Sequence, residues 1–236
     1  IVGRFRCVLQ TAGKQITAVI HPGQTGTGKK PDRQLVERAY SQLAQRFDHK
    51  WGGFGAAPKF PTPHNLLLLM RYADIMQDSS AMKLVEIPLE DLAKGGIFDH
   101  IGGGFSRYST DEMWQVPHFE KMLYDNALLL ITYTKAYQHT KTESFADTAD
   151  RTAGYILREL TDEEGGCYCG QDADSDGVEG KYYVFTPEEV KSVLGAEDGA
   201  DFCRLYVISN SGNFEGKSIP NRIRSSEDGW DMDDPR

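Results

Sequence analysis

The stretch Asp99–Phe105, with the sequence DHIGGGF, decides the fold because it recurs along the chain. Asp48–Phe54 has the sequence DHKWGGF, and Asp162–Tyr168 has the sequence DEEGGCY, in which the glycine pair comes one residue earlier. The leading acids are 51 and 63 residues apart. Each copy follows a helical pattern, and paired glycines allow a close chain reversal at a helix end. Repeats of this length, each with two helices, are typical of stacked helical hairpins.

The spacing of apolar residues predicts helices along most of the chain after residue 31. Thr62 is predicted to cap a helix that begins at Pro63, and Pro117 is predicted to open the longest helix. Pro88 predicts a kink or a break inside its helix. Thr186–Glu189 forms a capping box before a short helix that ends at Gly195. The predicted helices cover residues 32–47, 62–76, 80–94, 117–139, 144–160 and 186–195.

Composition excludes several classes of partner. The 236 residues include 26 Lys and Arg against 35 Asp and Glu, a net charge of −9. Nucleic-acid binding needs a surplus of basic residues, so we expect no nucleic-acid partner. The longest apolar runs, Leu66–Met70 and Ala127–Ile131, fall far short of the roughly 20 residues of a membrane span. We therefore expect no membrane association and a cytoplasmic location.

Two further patterns imitate known sites. Gly23–Lys30 resembles a phosphate-binding loop, but Lys30 occupies the hydroxyl position, which favours a flexible linker. Asp172–Gly177 resembles the start of a calcium loop, but Tyr183 stands where a bidentate Glu is needed. A looser acidic loop that polarises a ligand or binds a cation stays open. The four cysteines form no Cys-x-x-Cys pair and are predicted to be reduced, partly buried thiols. We predict neither a metal site nor a cofactor.

Polar residues concentrate at the glycine-rich corners. If the hairpins form a ring, corners on one rim converge on a single mouth, where aromatic rings, Arg and carboxylates suit a sugar. At the predicted helix start, His118 would lie in the first turn, where the helix dipole favours a neutral imidazole. His118 and Asp125 would then share one helix face. The alternative is that His118 and Glu120 only cap the helix and tie neighbouring corners together.

Four motifs carry a resemblance to a known family: Trp51–Pro61, Gly95–Ser109, Trp114–Asn126, and Asp172–Ser175 with Glu179–Tyr183. Together they resemble the YyaL-like, or spermatogenesis-associated thioredoxin-like, protein family. The resemblance implies an N-terminal thioredoxin-like domain followed by a toroid of helical hairpins similar to N-acylglucosamine 2-epimerases and six-hairpin glycosidases. This chain matches the toroid part only, so a thioredoxin-like domain is an expected partner in the full-length protein.

We therefore predict a mainly α fold, a partial (α/α) toroid of helical hairpins with short β segments at the glycine-rich corners. Residues 1–33 are predicted to be an N-terminal extension or linker remnant, residues 34–223 the toroid domain, and residues 224–236 a polar tail. Six hairpins of this period need roughly 300 residues, so the chain builds about half to two thirds of a ring.

The predicted function is carbohydrate-active, epimerase- or isomerase-like or else glycosidase-like, on a small-molecule substrate that is a sugar. Epimerisation would use His100 and His118 as the acid–base pair, whereas hydrolysis would use two carboxyl groups. The alternatives are a non-catalytic sugar- or protein-binding module and a fragment whose corner motifs only hold the toroid together. The candidate catalytic residues are His118, Glu120, His100, Asp125 and Asp174. The candidate substrate-binding residues are Lys59, Arg107, Tyr108, Trp114, Asp172, Asp176 and Glu179.

Overall fold

The computed structural model describes residues 32–223. The chain divides into two units, Ile1–Glu37 and Arg38–Arg236. Of the first unit only residues 32–37 are described; apart from the first residues of helix α1, the features below lie in the second unit. The predicted linker at 1–33 lies almost wholly outside the described residues, as do the loop Gly23–Lys30 and the predicted tail at 224–236.

Between residues 32 and 223 the chain is mainly helical, as predicted. Helices α2 and α3, α4 and α5, and α6 and α7 pack as consecutive pairs along the chain, and α2 also packs against α4. The helices are α1 (Arg33–Gln45), α2 (Pro63–Met76), α3 (Ser79–Lys94), α4 (Leu123–Thr140), α5 (Glu143–Glu159), α6 (Pro187–Leu194) and α7 (Ala196–Leu205).

The main core lies between α2, α3, α4 and α5. It extends into the second glycine-rich corner, the repeat Asp99–Phe105 and the residues next to it. Leu69, Leu89 and Leu129 are fully buried, one from each of the first three of these helices. Phe98 and Phe105 of the second corner pack on them, with ring centroids 4.8 Å apart. A smaller cluster around Val190, Cys203 and Ile208 holds α6 and α7 together. The corner is therefore built into the helical core.

Within residues 32–223, six two-residue strands form three antiparallel pairs. The strands are β1 (Tyr108–Ser109), β2 (Pro117–His118), β3 (Lys121–Met122), β4 (Gly170–Gln171), β5 (Asp174–Ser175) and β6 (Val178–Glu179). β1 pairs with β2, β3 with β4, and β5 with β6. A short 3₁₀ turn, Lys181–Tyr183, follows β6. β3–β4 joins the segment before α4 to the chain after the third repeat, while β1–β2 and β5–β6 join neighbouring parts of the chain.

The repeated sequence has a repeated structure. In each copy the leading Asp N–H donates to a glycine carbonyl: Asp48 to Gly53 at 2.9 Å, Asp99 to Gly104 at 3.0 Å, and Asp162 to Gly166 at 2.9 Å. A β-bridge closes each loop, and it joins Phe47 to Phe54, Phe98 to Phe105, and Thr161 to Cys167. Each leading carboxylate also accepts two N–H groups of its own loop. The three corners therefore share the same local structure.

The predicted start of the longest helix at Pro117 is wrong. Pro117–Met122 is extended, and α4 begins only at Leu123. The segment pairs with β1 and β4, and this pairing outweighs the helical spacing of Phe119, Met122 and Leu123. His118 therefore lies outside the helix, so the predicted effect of the helix dipole on its ring and the predicted helix face shared with Asp125 are also wrong.

Two smaller predictions also need correction. Thr62 does not cap α2, since it has a φ of 45° and its side chain makes no capping bond. Pro88 does not break its helix, because α3 continues from Ser79 to Lys94 around it. The capping box at Thr186 and Glu189 is present as predicted. None of the helices between residues 32 and 223 is both long and apolar enough to cross a bilayer.

Candidate functional site

The extended segment Pro117–Met122 separates two environments because its side chains alternate. Phe119 and Lys121 are each only 2% exposed. His118 and Glu120 alternate with them along the chain, and each of these two side chains is 31% exposed. In an extended chain successive side chains point to opposite faces. His118 and Glu120 therefore belong to a partly open surface, while Phe119 and Lys121 point into the interior.

The open surface, here called the polar face, consists of Arg107, Tyr108, His118, Glu120, Asp125 and Glu179. Tyr108 is the register partner of His118, and their rings stack with centroids 5.1 Å apart. Phe60 packs on the same Tyr108 ring at 4.9 Å. Aromatic rings with polar neighbours are a usual platform for a partly apolar ligand that carries hydroxyl groups.

Glu179 orients the His118 ring. Nδ1 of His118 lies 2.7 Å from Oε1 of Glu179, which β6 brings to the polar face. A carboxylate can only accept, so Nδ1 carries the proton in this contact, and a neutral ring then leaves Nε2 as an acceptor. Asp174 is the register partner of Glu179, so its side chain lies on the same face of the β5–β6 hairpin. The side-chain contact of His118 and Glu179 thus joins two residues that are 61 positions apart in the sequence.

Arg107 and Glu120 form the second polar pair. Nη1 of Arg107 lies 3.1 Å from Oε2 of Glu120, and the Arg107 N–H also donates to the Glu120 carbonyl at 2.8 Å. Among residues 32–223, Nε of Arg107 and Oδ2 of Asp125 are buried atoms without a hydrogen-bond partner. Burial raises the pKa of Asp125 to about 6, against the opposing effects of the Arg107 charge and the Tyr124 hydroxyl. A missing acceptor for Arg107 and a missing donor for Asp125 in one cluster indicate an unfilled polar contact.

The acidic hairpin does not form a calcium loop. Asp176 and Gly177 make its turn with φ values of 53° and 72°. Asp176 pairs with Lys181 at 2.8 Å on an exposed surface, and Asp172 accepts the N–H of Asp174 at 3.2 Å. Within the described part of the chain, no group of three or more His, Cys, Asp or Glu side chains is placed to hold a metal ion.

Two predicted substrate-binding residues, Lys59 and Trp114, lie inside the protein with no exposed area. Nζ of Lys59 is 2.6 Å from Oδ2 of Asp48, donates to the Glu112 carbonyl at 3.0 Å, and lies 4.8 Å from the Trp114 ring centroid. Nε1 of Trp114 donates to the Trp51 carbonyl at 2.7 Å. These contacts fasten the first corner to the loop before β2.

The structure separates the two predicted acid–base histidines. His100 is 6% exposed, its ring contacts Phe98 and Tyr206, and its Nε2 lies 3.0 Å from the Gly95 carbonyl. Burial lowers the pKa of His100 to about 4, so this ring is neutral at ordinary pH. It lies in the wall of a cavity that opens to solvent, whereas His118 lies on the polar face.

Lys121, which the sequence motifs did not single out, repeats the arrangement of Lys59 at the second corner. Its Nζ lies 2.8 Å from Oδ2 of Asp99, donates to the Gly103 carbonyl at 3.0 Å, and lies 4.5 and 4.8 Å from the rings of Tyr155 and Tyr183. A signal was present, because the alternation of side-chain types over 117–122 is compatible with a strand that places Lys121 on the Phe119 side.

The cavity that His100 lines has a volume of about 770 Å³, opens to solvent on one side and is here called the apolar cavity. It lies between the second corner and the α6–α7 pair. Among its lining residues are Phe119, Tyr183, Phe185, Phe202 and Ile219, together with His100. Neither His118, Glu120 nor Asp125 lines it. The polar face and the apolar cavity are thus separate features on the two sides of Pro117–Met122.

Sequence comparison identifies relatives along nearly the whole chain. Spermatogenesis-associated protein 20 of Mus musculus is 38% identical over 240 aligned residues, which cover 91% of this chain and 30% of that protein. Over this length the chain is related to spermatogenesis-associated protein 20. The Homo sapiens member is 38% identical over 90% of this chain and 30% of its own length. The uncharacterized protein B0495.5 of Caenorhabditis elegans is 36% identical over 93% and 31%.

The chain thus spans about 30% of the length of these spermatogenesis-associated protein 20 relatives. No family model matches it. Cellobiose 2-epimerase from Bacillus thermoamylovorans B4167 superposes with a TM-score of 0.51 at 16% identity, over 60% of this chain and 42% of that chain. An unsaturated glucuronyl hydrolase specific for heparin superposes at 0.50 and 17%, over 61% and 44%. The predicted fold, a partial (α/α) toroid, is confirmed.

Proposed function

We propose that the polar face binds a sugar and moves a proton at the carbon next to the sugar carbonyl, which is epimerase or isomerase chemistry. The observation that carries this proposal is the 2.7 Å contact between His118 and Glu179. A carboxylate that holds Nδ1–H leaves Nε2 as a base toward the ligand and stabilises the imidazolium that forms. The Tyr108 ring beside His118 would hold the apolar face of the sugar.

Asp125 and Arg107 supply the complementary groups. With its raised pKa, Asp125 keeps a protonated fraction near neutral pH, so it can donate a proton to the carbonyl oxygen as His118 removes the carbon-bound proton. The product of that step is an enediol, and return of the proton gives the epimer or the isomer. The Arg107 side chain, which is 41% exposed and paired with Glu120, would donate to a sugar hydroxyl.

The test is proton exchange in deuterium oxide followed by nuclear magnetic resonance. The sugars are glucose, mannose, N-acetylglucosamine and cellobiose. We expect loss of the proton signal next to the carbonyl of at least one sugar, and a rate at least about 100-fold lower in His118→Gln. Glu188→Gln is the matched control, since Glu188 is exposed on α6 and is not part of the polar face. Saturable sugar binding without exchange would replace this function by the non-catalytic sugar-binding module.

A second candidate, glycoside hydrolysis, is favoured by one observation, the raised pKa of Asp125. A carboxyl group that holds its proton near neutral pH is what a general acid needs, and Asp174 or Glu179 would be the second carboxylate. Release of reducing ends from oligosaccharides, abolished by Asp125→Asn but retained in His118→Gln, would favour hydrolysis over epimerisation.

We also propose the cellular setting. The family resemblance supports a thioredoxin-like domain in the full-length protein as the partner of this toroid segment. Cys167, Cys169 and Cys203 are all free thiols, which supports action in the reducing cytoplasm. Cys167 and Cys169 are exposed, contrary to the prediction that they are partly buried, and Cys203 is buried.

A further inference from the structure

The apolar cavity has the size and lining of a small-molecule site, yet the proposed sugar chemistry does not use it. Its volume of about 770 Å³ falls within the usual range of ligand pockets. Phe119 and Tyr183 stack with ring centroids 5.5 Å apart on one side, and Phe202 of α7 lies on another. A sugar would leave its many hydroxyl groups without partners against such walls.

The charged residues of the cavity wall are already paired. Lys121 is bound to Asp99, and it is only 2% exposed. Lys217 lies 2.7 Å from Glu189, and Lys181 lies 2.8 Å from Asp176. A charged ligand would have to compete with the partner that each of these groups already has. The lining therefore favours a neutral occupant.

His100 provides one polar contact in this wall. The Gly95 carbonyl can only accept, so Nε2 of His100 carries the proton in their 3.0 Å contact. The ring is buried next to the cationic groups of Arg151 and Arg222, which also disfavour a second proton. In this tautomer Nδ1 is an acceptor, and no hydrogen bond from residues 32–223 reaches it. A ligand donor is the chemical complement of that nitrogen.

We propose that the apolar cavity is a second ligand site, which takes a neutral, mainly apolar small molecule with one hydroxyl donor. His100 accepts the hydroxyl hydrogen, and the rings of Phe119, Tyr183 and Phe202 surround the apolar part. The site is separate from the polar face, since the segment Pro117–Met122 lies between the two and presents different side chains to each.

The test compares three probes with similar apolar chains in titrations followed by ¹H–¹⁵N nuclear magnetic resonance. The probes are 1-octanol, octanoate and methyl octyl ether. We expect 1-octanol to bind saturably, with shifts at the amides of Phe119, Tyr183 and Ile219. Octanoate, which is charged, and the ether, which has no donor, should each bind at least about ten-fold more weakly, a factor that corresponds to about 1.4 kcal/mol. No saturable binding, shifts confined to other regions, or equal affinity for octanoate would overturn the proposal.

Two exposed positions on α6 give a matched pair of variants. Ser192 lines the cavity and Glu188 does not, and both side chains are exposed. Ser192→Trp should obstruct the cavity and weaken 1-octanol at least ten-fold relative to Glu188→Trp. His100→Phe should abolish the preference for 1-octanol over the ether, and the Ser192→Trp comparison stands if that variant does not fold. Equal affinity in the two α6 variants would exclude the cavity as the binding site.

Discussion

At the scale of single residues, two buried lysines show how this toroid secures its corners. Lys59 pairs with Asp48 and lies near the Trp114 ring, and Lys121 pairs with Asp99 near two tyrosine rings. A buried ammonium is tolerated when a carboxylate, carbonyl oxygens and aromatic faces surround it. Removing either lysine leaves a largely buried carboxylate without its counter-ion.

We predict that Lys121→Met lowers the free energy of unfolding by about 3–5 kcal/mol, because Asp99 remains buried and unpaired. Urea unfolding at pH 7 measures the change. Lys135→Met is the control, since Lys135 is exposed on α4 and its loss should cost little. A cost for Lys121→Met as small as that of the control would show that the pair contributes nothing.

The Lys121–Asp99 pair also makes the stability of the protein depend on pH in the acidic range. Burial alone would raise the pKa of Asp99, but the charge and hydrogen bond of Lys121 and two backbone N–H groups lower it below its ordinary value. A lowered folded-state pKa gives stability that is complete above the unfolded-state pKa of about 3.9 and is lost as pH falls below it. The stability lost on acidification below about pH 4 should therefore be smaller in Lys121→Met than in the wild type.

Asp125 has the opposite pH dependence. Its folded-state pKa of about 6 lies above its unfolded-state value, so the native state binds the extra proton, and stability falls as pH rises from about 4 to about 6. Asp125→Asn should remove this decrease and be more stable than the wild type at pH 7. Carboxyl carbon titration followed by nuclear magnetic resonance gives the pKa directly, and a midpoint near 4 would contradict the assignment.

At the scale of elements, the corners depend on glycines where backbone geometry and space both require them. Gly104 has a φ of 77°, and a Cβ there would lie 2.4 Å from the buried Tyr155 ring. Gly154 lies within helix α5, and a Cβ there would meet no neighbouring atom within 4 Å. The two glycines form a natural comparison between a required glycine and a replaceable one.

We predict that Gly104→Ala destabilises the protein by about 2 kcal/mol or more through strain and overpacking. Gly154→Ala should be neutral or stabilise by up to about 1 kcal/mol, because alanine loses less conformational freedom in a helix. Thermal and urea unfolding of the two variants measure the difference. Equal effects in both would mean that Tyr155 moves aside without cost.

At the scale of the whole molecule, stability is unevenly distributed. The large core joins α2, α3, α4 and α5, whereas α6 and α7 share a cluster of three buried residues. Local opening needs less free energy where less apolar surface is buried. Amide hydrogen exchange should therefore show a lower opening free energy at Val190 and Cys203 than at Leu69 and Leu129. Uniform protection across these four amides would indicate a single cooperative unit.

The repeat was predictable because the same local chemistry, an Asp and a glycine pair after a helix, occurs three times in the sequence. The helix bounds followed from apolar spacing, and α2, α3 and α5 lie close to their predictions. The start at Pro117 failed because strand pairing with β1 and β4 depends on residues about 10 and 50 positions away, which a local pattern does not contain. Glu179 contacts His118 from 61 positions away in the sequence, so the site's key contact could not be read from local spacing either.

The alternation along Pro117–Met122 makes this segment sensitive to its length in a way that single substitutions do not test. Inserting or deleting one residue within it would rotate every following side chain to the opposite side. His118 or Glu120 would then enter the interior while Phe119 or Lys121 faced water. Both the polar face and the apolar cavity would be disrupted. Among related chains we expect the number of residues in this stretch to stay constant.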